Sequence, residues 1–362
     1  MDSFTYVDDS KALLEAVTEW KQAAELAVDL ECENNLHHYG AYISLIQIST
    51  KNKNWIIDIL TLGDIKPLLL VLENPAIQKI FHDVSFDFRI LQDQFLCHPR
   101  NVFDTQIAAL FLGKEHLGLG DLLKEYFQVE KESKFQMADW TKRPLNTEML
   151  SYAAKDAVHL ISLRDILVKE LQQKNRLSWV EEEFAALEEA DFNYKTQTFI
   201  DVRGVKTFSP EQLGIFRELF LLREQLAKKV NMPVHFVIKN VRLKEFALHP
   251  PQWEKLRGVH PIVRSQAALF YKAVEQGKKE HFIVPPPEKK RLTQHQKEQL
   301  EKLGELQQKL AHKTGMKGHL IMNKEQMIMM VVSGRFDCLR AWQRKLVEPE
   351  MQNLLHFGPE MR

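Results

Sequence analysis

Cysteine is scarce in this chain of 362 residues, and long apolar runs are absent from it. Cys32, Cys97 and Cys338 are too few and too widely spaced for a disulfide framework or a zinc knuckle, so buried free thiols are expected. No stretch of the sequence approaches the roughly 18 consecutive apolar residues that a membrane span requires. The first ten residues contain three acids and no basic cluster before an apolar segment, which predicts no secretory signal and a cytoplasmic protein.

The chain also lacks net charge, but only because its two halves cancel. Residues 1–202 contain 33 acidic and 20 basic side chains, whereas residues 203–362 contain 29 basic and 16 acidic ones. The acidic half suits metal chelation and the basic half suits a polyanion, with a solvated basic surface as the alternative. The basic half has no row of interleaved aromatic residues, so backbone contacts with a nucleic acid are favoured over base stacking.

The first half of the chain alternates between strand and helix patterns. Three short apolar and β-branched runs, at residues 26–32, 41–49 and 55–59, are joined by short turns and predict an antiparallel meander. Further along, helices are predicted over 65–72, 86–95 and 105–112, strands over 77–81 and 101–103, and a long helical region over 147–173. This alternation predicts a mixed sheet with flanking helices.

Beyond about residue 208 the pattern is helical. Ser209-Pro210-Glu211 is typical of a helix start, with serine as the cap and proline at the first helical position. A proline run at 285–287, followed by charges at 288–291, predicts a stiff linker. Residues 226–238 align without gaps on residues 310–322, which predicts a duplicated helical module. The predicted domains are 1–202, 203–284 and 285–362.

Acidic residues on separate elements carry the strongest functional signal. Asp29 and Glu31 lie two residues apart on a predicted strand, so their side chains point to one face of the sheet. Asp87 begins a predicted helix, and Tyr152 and Asp156 lie four residues apart on one helix face. Taken singly, these acids could end a strand, cap a helix or form an ion pair. Together they predict a site for two Mg²⁺ or Mn²⁺ ions that hydrolyses a phosphodiester.

Motifs around these residues resemble ribonuclease D, of the DEDDy exonuclease superfamily. Asp29-Leu30-Glu31 matches the first exonuclease motif, residues 82–87 match the second, and Tyr152-Ala-Ala-Lys-Asp156 matches the third, in which tyrosine rather than histidine defines the subtype. Residues 139–145 (DWTKRPL) resemble a segment common in these enzymes. The helical modules resemble the HRDC domain, the first more closely than the second. The resemblance extends over nearly the whole chain.

This resemblance implies an α/β ribonuclease-H-like exonuclease domain followed by two all-α HRDC-like domains. It also implies two-metal 3′→5′ hydrolysis of RNA that releases nucleoside monophosphates, with structured 3′ ends such as those of precursor tRNA as substrates. Asp29, Glu31, Asp87 and Asp156 are the expected metal ligands. Tyr152 is expected to position the attacking water and to help deprotonate it.

His82 and Arg143 are weaker candidates, for substrate binding. His82 either contacts the terminal nucleotide or makes a structural hydrogen bond, and Arg143 either contacts phosphate or pairs within the domain. Two other functions remain open. The same site serves DNA, since only contacts to the 2′-hydroxyl distinguish the polymers, and a catalytically silent RNA-binding scaffold would have the same fold. A monomer that does not associate with membranes is expected.

Overall fold

A sheet with flanking helices comes first in the chain, and helices alone follow it. The computed structural model describes residues 3–192, 197–284 and 292–351. The predicted proline linker at 285–291 lies outside these residues. Within them, no helix is both long and apolar enough to cross a membrane. The three cysteines are free thiols, as predicted, but only Cys97 is buried, whereas Cys32 and Cys338 are partly exposed.

One six-stranded sheet forms the centre of the first domain. Its strands are β1 (Phe4–Val7), β2 (Glu25–Asn34), β3 (Ala41–Ser49), β4 (Asn54–Asp58), β5 (Gln78–Phe81) and β6 (Val102–Asp104). They are ordered β1-β4-β3-β2-β5-β6. The antiparallel pairing of β2 with β3 and of β3 with β4 confirms the predicted meander. The other pairs are parallel, which confirms a mixed sheet. The prediction lacks β1, whose partner β4 lies about 50 residues later in the sequence.

Helices cover both faces of this sheet. They are α1 (Ser10–Trp20), α2 (Lys66–Leu72), α3 (Ser85–Phe95), α4 (Thr105–Leu112), α5 (Leu119–Phe127), α6 (Thr147–Val158), α7 (Leu160–Gln173) and α8 (Leu177–Glu188). The helical region predicted over 147–173 is confirmed with the same bounds, and it is divided at His159 into α6 and α7. The His159 ring stacks on Phe127, with 5.5 Å between ring centroids. Apolar periodicity continues across this junction, so the sequence pattern does not reveal the division.

Side chains alternate along β2, so Val28 and Leu30 lie on one face of the sheet and the acids on the other. Val28 and Leu30 point into the core formed with α1, α2 and α3. Ala27 points to the opposite face, into the core formed with α4, α7 and α8. Since side chains alternate along a strand, Asp29 and Glu31 share the face of Ala27.

Two helical units follow, and the first three helices of the second unit begin at a constant sequence offset from those of the first. The first unit contains α9 (Pro210–Lys229), α10 (Val234–Val237), α11 (Asn240–Leu248), α12 (Pro261–Ser265) and α13 (Ala267–Lys279). The second contains α14 (Gln294–Thr314), α15 (Gly318–Ile321), α16 (Lys324–Ser333) and α17 (Ala341–Met351). Each of α14, α15 and α16 begins 84 residues after its counterpart α9, α10 or α11. This offset equals that of the aligned sequences, which confirms the duplicated module.

The apolar core of the first helical unit begins before residue 203. Phe199 and Val202 pack against α9, together with Val205. We therefore propose a domain junction upstream of Phe199 rather than at residue 202.

The second helical unit packs against the sheet domain through Trp342. Its ring stacks on Trp179 with 5.1 Å between centroids and meets Phe111 edge-on at 5.2 Å. Its indole Nε1 donates a hydrogen bond to Glu183 at 2.8 Å. This aromatic face of the second unit is therefore buried in a contact between domains.

The first helical unit instead contacts the turn between β2 and β3. The backbone N–H of Tyr39 donates to Asn231 Oδ1 at 3.3 Å, and the Tyr39 hydroxyl donates to Glu224 Oε2 at 3.2 Å. Because β2 also carries Asp29 and Glu31, the first unit lies beside the strand that bears the acids.

Candidate active site

Three carboxylates converge where α6 packs against the sheet. Asp29 and Glu31 extend from β2, and Asp156 extends from α6. One oxygen atom of each lies within 4.8 Å of the corresponding oxygens of the other two. The structure thus brings together residues that are more than 120 positions apart in sequence.

Local sequence accounts for the position of α6. Asn146 caps the helix by accepting a hydrogen bond from a backbone N–H of the first turn at 2.8 Å. Ala153 and Ala157 are completely buried, so the helix backbone can approach closely the elements that it packs against. Tyr152 and Asp156, one turn apart, are both buried.

Asp87 lies in the first turn of α3 and is 9% exposed. Its position depends on Asp104, whose carboxylate accepts hydrogen bonds from the backbone N–H groups of Asp83 at 3.2 Å and Val84 at 2.9 Å. The sequence analysis missed Asp104. The available signal was its place directly before a predicted helix, which indicates only that it caps α4, as it also does.

Burial raises the pKa of all four carboxyl groups, and repulsion by neighbouring acids adds to the rise at Asp29, Glu31 and Asp87. Burial is the largest cause in each case. The charge of Asp156 adds to the pKa rise at Asp29, and the charge of Asp29 adds to the rise at Glu31 and Asp87. The ammonium of Lys131 opposes the rise at Asp29, Glu31 and Asp156. The cluster therefore contains excess buried negative charge, which a divalent cation would relieve.

Stabilisation by divalent metal is expected to increase with pH. Because folding raises the pKa of these acids, their contribution to stability is greatest below about pH 4, the ordinary carboxyl value, and is lost as pH rises toward the raised values. Metal binds the deprotonated carboxylates, so its effect grows over the same range. The gain in melting temperature with Mg²⁺ or Mn²⁺ should be larger at about pH 8 than at about pH 5.5, and at 100-fold Kd it corresponds to about 2.7 kcal/mol. Equal gains at both pH values would contradict this expectation.

Tyr152 lies between two aromatic rings beside the acids. Its ring meets Phe135 edge-on at 5.7 Å and lies 6.1 Å from Trp140, measured between centroids. The segment that carries Trp140 is held by Ser44, whose hydroxyl donates to the Trp140 carbonyl at 2.6 Å. Burial first, and then the charge of Asp156, raise the pKa of the Tyr152 hydroxyl. The phenol is therefore protonated at neutral pH and can donate a hydrogen bond.

Lys131 is a residue of this site that the sequence analysis missed. Its Nζ lies 2.9 Å from Asp156 Oδ1 and 5.8 Å from the centroid of the Tyr152 ring. It belongs to the segment between α5 and α6, where Lys131 lies in neither a helix nor a strand. A single lysine in such a segment has no periodicity, so no sequence pattern identifies it.

His82 makes a hydrogen bond within the domain. Its Nδ1 lies 2.9 Å from the hydroxyl of Thr105, which in turn donates to the Phe81 carbonyl at 3.0 Å. Burial, aided by the charge of Lys131, lowers the pKa of His82 to about 4, so the ring is neutral. Of the two roles left open for His82, this geometry favours the structural one.

Arg143 is bound by groups inside the domain. Its guanidinium forms a two-point ion pair with Asp58, in which Nη2 lies 2.7 Å from Oδ1 and Nε bonds to Oδ2. Asp58 is completely buried. Arg143 Nη1 also donates to the Trp140 carbonyl at 2.7 Å. These bonds fasten the Trp140 segment to the end of β4, so the geometry favours pairing within the domain over phosphate binding.

Both the sheet domain and the first helical unit match families of known proteins. Residues 4–172 match the family model of a 3′-5′ exonuclease, and residues 212–274 match that of the HRDC domain. Ribonuclease D from Zymomonas mobilis is 31% identical over 264 residues, which cover 70% of this chain and 67% of that protein. Ribonuclease D from Pseudomonas paraeruginosa is 27% identical over 376 residues, which cover 97% of each protein.

The likeness in fold extends over the length of the chain. The crystal structure of Escherichia coli RNase D matches with a TM-score of 0.74 and 20% identity, covering 98% of each chain. The converging acids, the two family models and the similarity to the Zymomonas protein agree. The chain belongs to the ribonuclease D family and is a 3′–5′ exoribonuclease.

Proposed function

We propose that this enzyme shortens RNA from its 3′ end at a site where Asp29, Glu31, Asp87 and Asp156 hold two Mg²⁺ or Mn²⁺ ions. The observation that carries the proposal is the approach of three carboxylate oxygens, from two elements, to within 4.8 Å. Hard divalent cations prefer such oxygens, and Mg²⁺ needs only a few of them because water and phosphate supply the others. The donor set therefore fits these ions.

Tyr152 is proposed to orient the attacking water. Two ions bound by the acids would stabilise the attacking and leaving oxygens of the phosphodiester. Burial, the largest cause of the raised Tyr152 pKa, does not depend on the charge of the acids, so burial still favours the protonated phenol when that charge is neutralised. A protonated phenol can hold the water by a hydrogen bond but cannot accept its proton. We therefore assign Tyr152 orientation only, and not the deprotonation expected from the sequence.

The first helical unit is proposed to bind the RNA backbone. Residues 203–284 contain 15 basic and 7 acidic side chains. Lys228 and Lys229 end α9, close to Asn231, which contacts the β2–β3 turn. Lys239 directly precedes α11, and all three lysines are exposed. We name these three lysines the α9–α11 basic surface, and we propose that it contacts phosphates upstream of the cleaved end.

Neutralising the α9–α11 basic surface should weaken RNA binding without slowing the chemical step. Replacing Lys228, Lys229 and Lys239 together by glutamine should raise KM and reduce the slope of log KM against log salt by about 2, since each contact with a single strand contributes about 0.7. The value of kcat at saturating RNA should not change, because no proposed metal ligand lies in the helical units. Steady-state kinetics at several salt concentrations measure both quantities.

The matched control is the triple glutamine substitution of Lys297, Lys302 and Lys317. These lysines are also exposed, but they belong to the second helical unit, which packs on the sheet domain through Trp342. The same loss of slope in both variants would indicate long-range attraction rather than contact. An unchanged slope in the first variant would mean that its lysines do not hold the RNA.

One assay tests the proposed reaction and its alternatives. Purified enzyme is incubated with 5′-labelled RNA and with DNA of the same sequence, in the presence and absence of Mg²⁺ or Mn²⁺. A metal-dependent ladder of single-nucleotide steps from the RNA 3′ end is expected. Cleavage of DNA alone would favour the repair exonuclease, and RNA binding without cleavage would favour the scaffold.

The natural substrates are proposed to be structured RNA 3′ ends, such as those of precursor tRNA. The Escherichia coli RNase D that shares this fold is described as an exoribonuclease involved in structured RNA processing. A monomeric state and a cytoplasmic location remain predictions from the sequence.

A further inference from the structure

A cavity of about 570 Å³ opens beside Tyr152 and Asp156. The lysines that line it are Lys131, Lys134 and Lys155. Two of them pair with glutamates of the cavity wall, whereas Lys131 pairs with Asp156, a proposed metal ligand. Lys131 is therefore the lysine of this cavity whose charge acts directly on the acid cluster.

The Lys131 ammonium and a divalent ion would compete for the carboxylate of Asp156. The ion pair is close, with 2.9 Å between Nζ and Oδ1, and Asp156 is only 7% exposed in its side chain. A cation held by the same carboxylate would lie within about 5 Å of the ammonium, where two positive charges repel strongly at the reduced dielectric of a partly buried site. Metal binding therefore favours departure of the ammonium.

The cavity has space for the displaced ammonium, but no glutamate among the described residues that line it is unpaired. Each glutamate among the described residues that line it already has another lysine as partner. The pairs are Glu130 with Lys124, Glu132 with Lys155 and Glu148 with Lys134. Because Lys131 lies in neither a helix nor a strand, its side chain can move without disrupting either kind of element. A phosphate placed in the cavity would be the natural new partner for this cation.

We propose that Lys131 is the counter-ion of the metal-free site and that metal binding displaces its ammonium into the cavity, where it binds the phosphate of the terminal nucleotide. The inference rests on the proposed assignment of Asp29, Glu31 and Asp156 as metal ligands. It makes metal and nucleotide binding cooperative, because a phosphate that accepts the ammonium lowers the cost of displacing it. Lys131 thereby keeps metal affinity low until substrate is present.

Direct Mn²⁺ titration of the full-length protein, followed by the electron paramagnetic resonance signal of free Mn²⁺, tests this competition. Lys131→Met should bind Mn²⁺ about tenfold more tightly than wild type, because the competing charge is gone. Lys131→Arg, which keeps the charge, should bind like wild type. Lys134→Met is the matched control: it removes a lysine from the same segment and cavity, but its partner Glu148 is not a proposed ligand, so its affinity should not change.

Adenosine 5′-monophosphate supplies the phosphate in a second titration. After correction for its own association with Mn²⁺, it should tighten Mn²⁺ binding to the wild type and do so much less in Lys131→Met. Unchanged or weaker Mn²⁺ binding by Lys131→Met would overturn the proposal, and so would Lys131→Arg binding as tightly as Lys131→Met. If Lys131→Met does not fold, Lys131→Gln replaces it as the neutral variant. Equal Mn²⁺ affinity of wild type and Asp156→Asn would instead overturn the metal site itself.

Discussion

Replacing Asp29 by asparagine is expected to reduce RNA cleavage below detection, by at least about 10³-fold in kcat, or about 4 kcal/mol of transition-state stabilisation. Asparagine keeps the shape of the side chain but removes a charged ligand from a site where the metal position sets the rate. Asp156→Asn should have the same effect. Cleavage of 5′-labelled RNA at saturating Mg²⁺ measures both variants.

Asp29→Asn and Asp156→Asn are expected to differ in melting temperature. Asp29 is half-buried and is repelled by Asp156, so Asp29→Asn should melt at or above the wild-type temperature in EDTA at neutral pH. Asp156→Asn should gain less, because it also loses the ion pair with Lys131. Asp121, an exposed acid on α5, supplies the control substitution Asp121→Asn, which should retain full activity. Near wild-type turnover by either ligand variant would contradict the two-metal site.

Tyr152→Phe is expected to lower kcat by roughly 10² to 10³, the range for loss of one preorganised hydrogen-bond donor in an active site. KM and Mn²⁺ affinity should change little, since the hydroxyl is not a proposed ligand. The phenylalanine ring retains the packing against Phe135 and Trp140, so the fold should persist. Single-turnover kinetics at saturating metal isolate the chemical step.

Tyr126→Phe is the matched control for this substitution. The Tyr126 hydroxyl donates to Glu170 at 2.9 Å, so its loss removes a phenolic hydrogen bond of the same domain outside the acid cluster. Its cleavage rate should equal that of the wild type. If Tyr152→Phe also retained full activity, Tyr152 would be a packing residue, and another group would have to orient the water.

The strands of the sheet were predicted correctly where the apolar pattern of the sequence matches the burial of the side chains in the structure. β3 has the bounds that its alternating apolar run indicates, and β2 extends two residues beyond the predicted end. Spacing alone also placed Asp29 and Glu31 on one face and stacked Tyr152 over Asp156, because a strand repeats every two residues and a helix about every 3.6.

Contacts between distant segments were not predictable in this way. Arg143 offered two readings, and the choice depended on Asp58, 85 positions earlier, which the fold buries against it. The division of the helix at His159 depended on which cores α6 and α7 meet, since both halves share one apolar period. In each case the deciding partner is remote in sequence.

The sequence alone therefore established most strands of the sheet, the duplicated helical module and the acids suited to two metals, because periodicity and side-chain chemistry are local properties of the chain. Tertiary structure settled how near those acids lie, which helical unit adjoins them, and that Lys131 neutralises Asp156. These features depend on segments that are far apart in the chain but pack together in the folded protein. An unpaired charge is costly where it is buried, so it pairs with the nearest opposite charge, whichever segment supplies it.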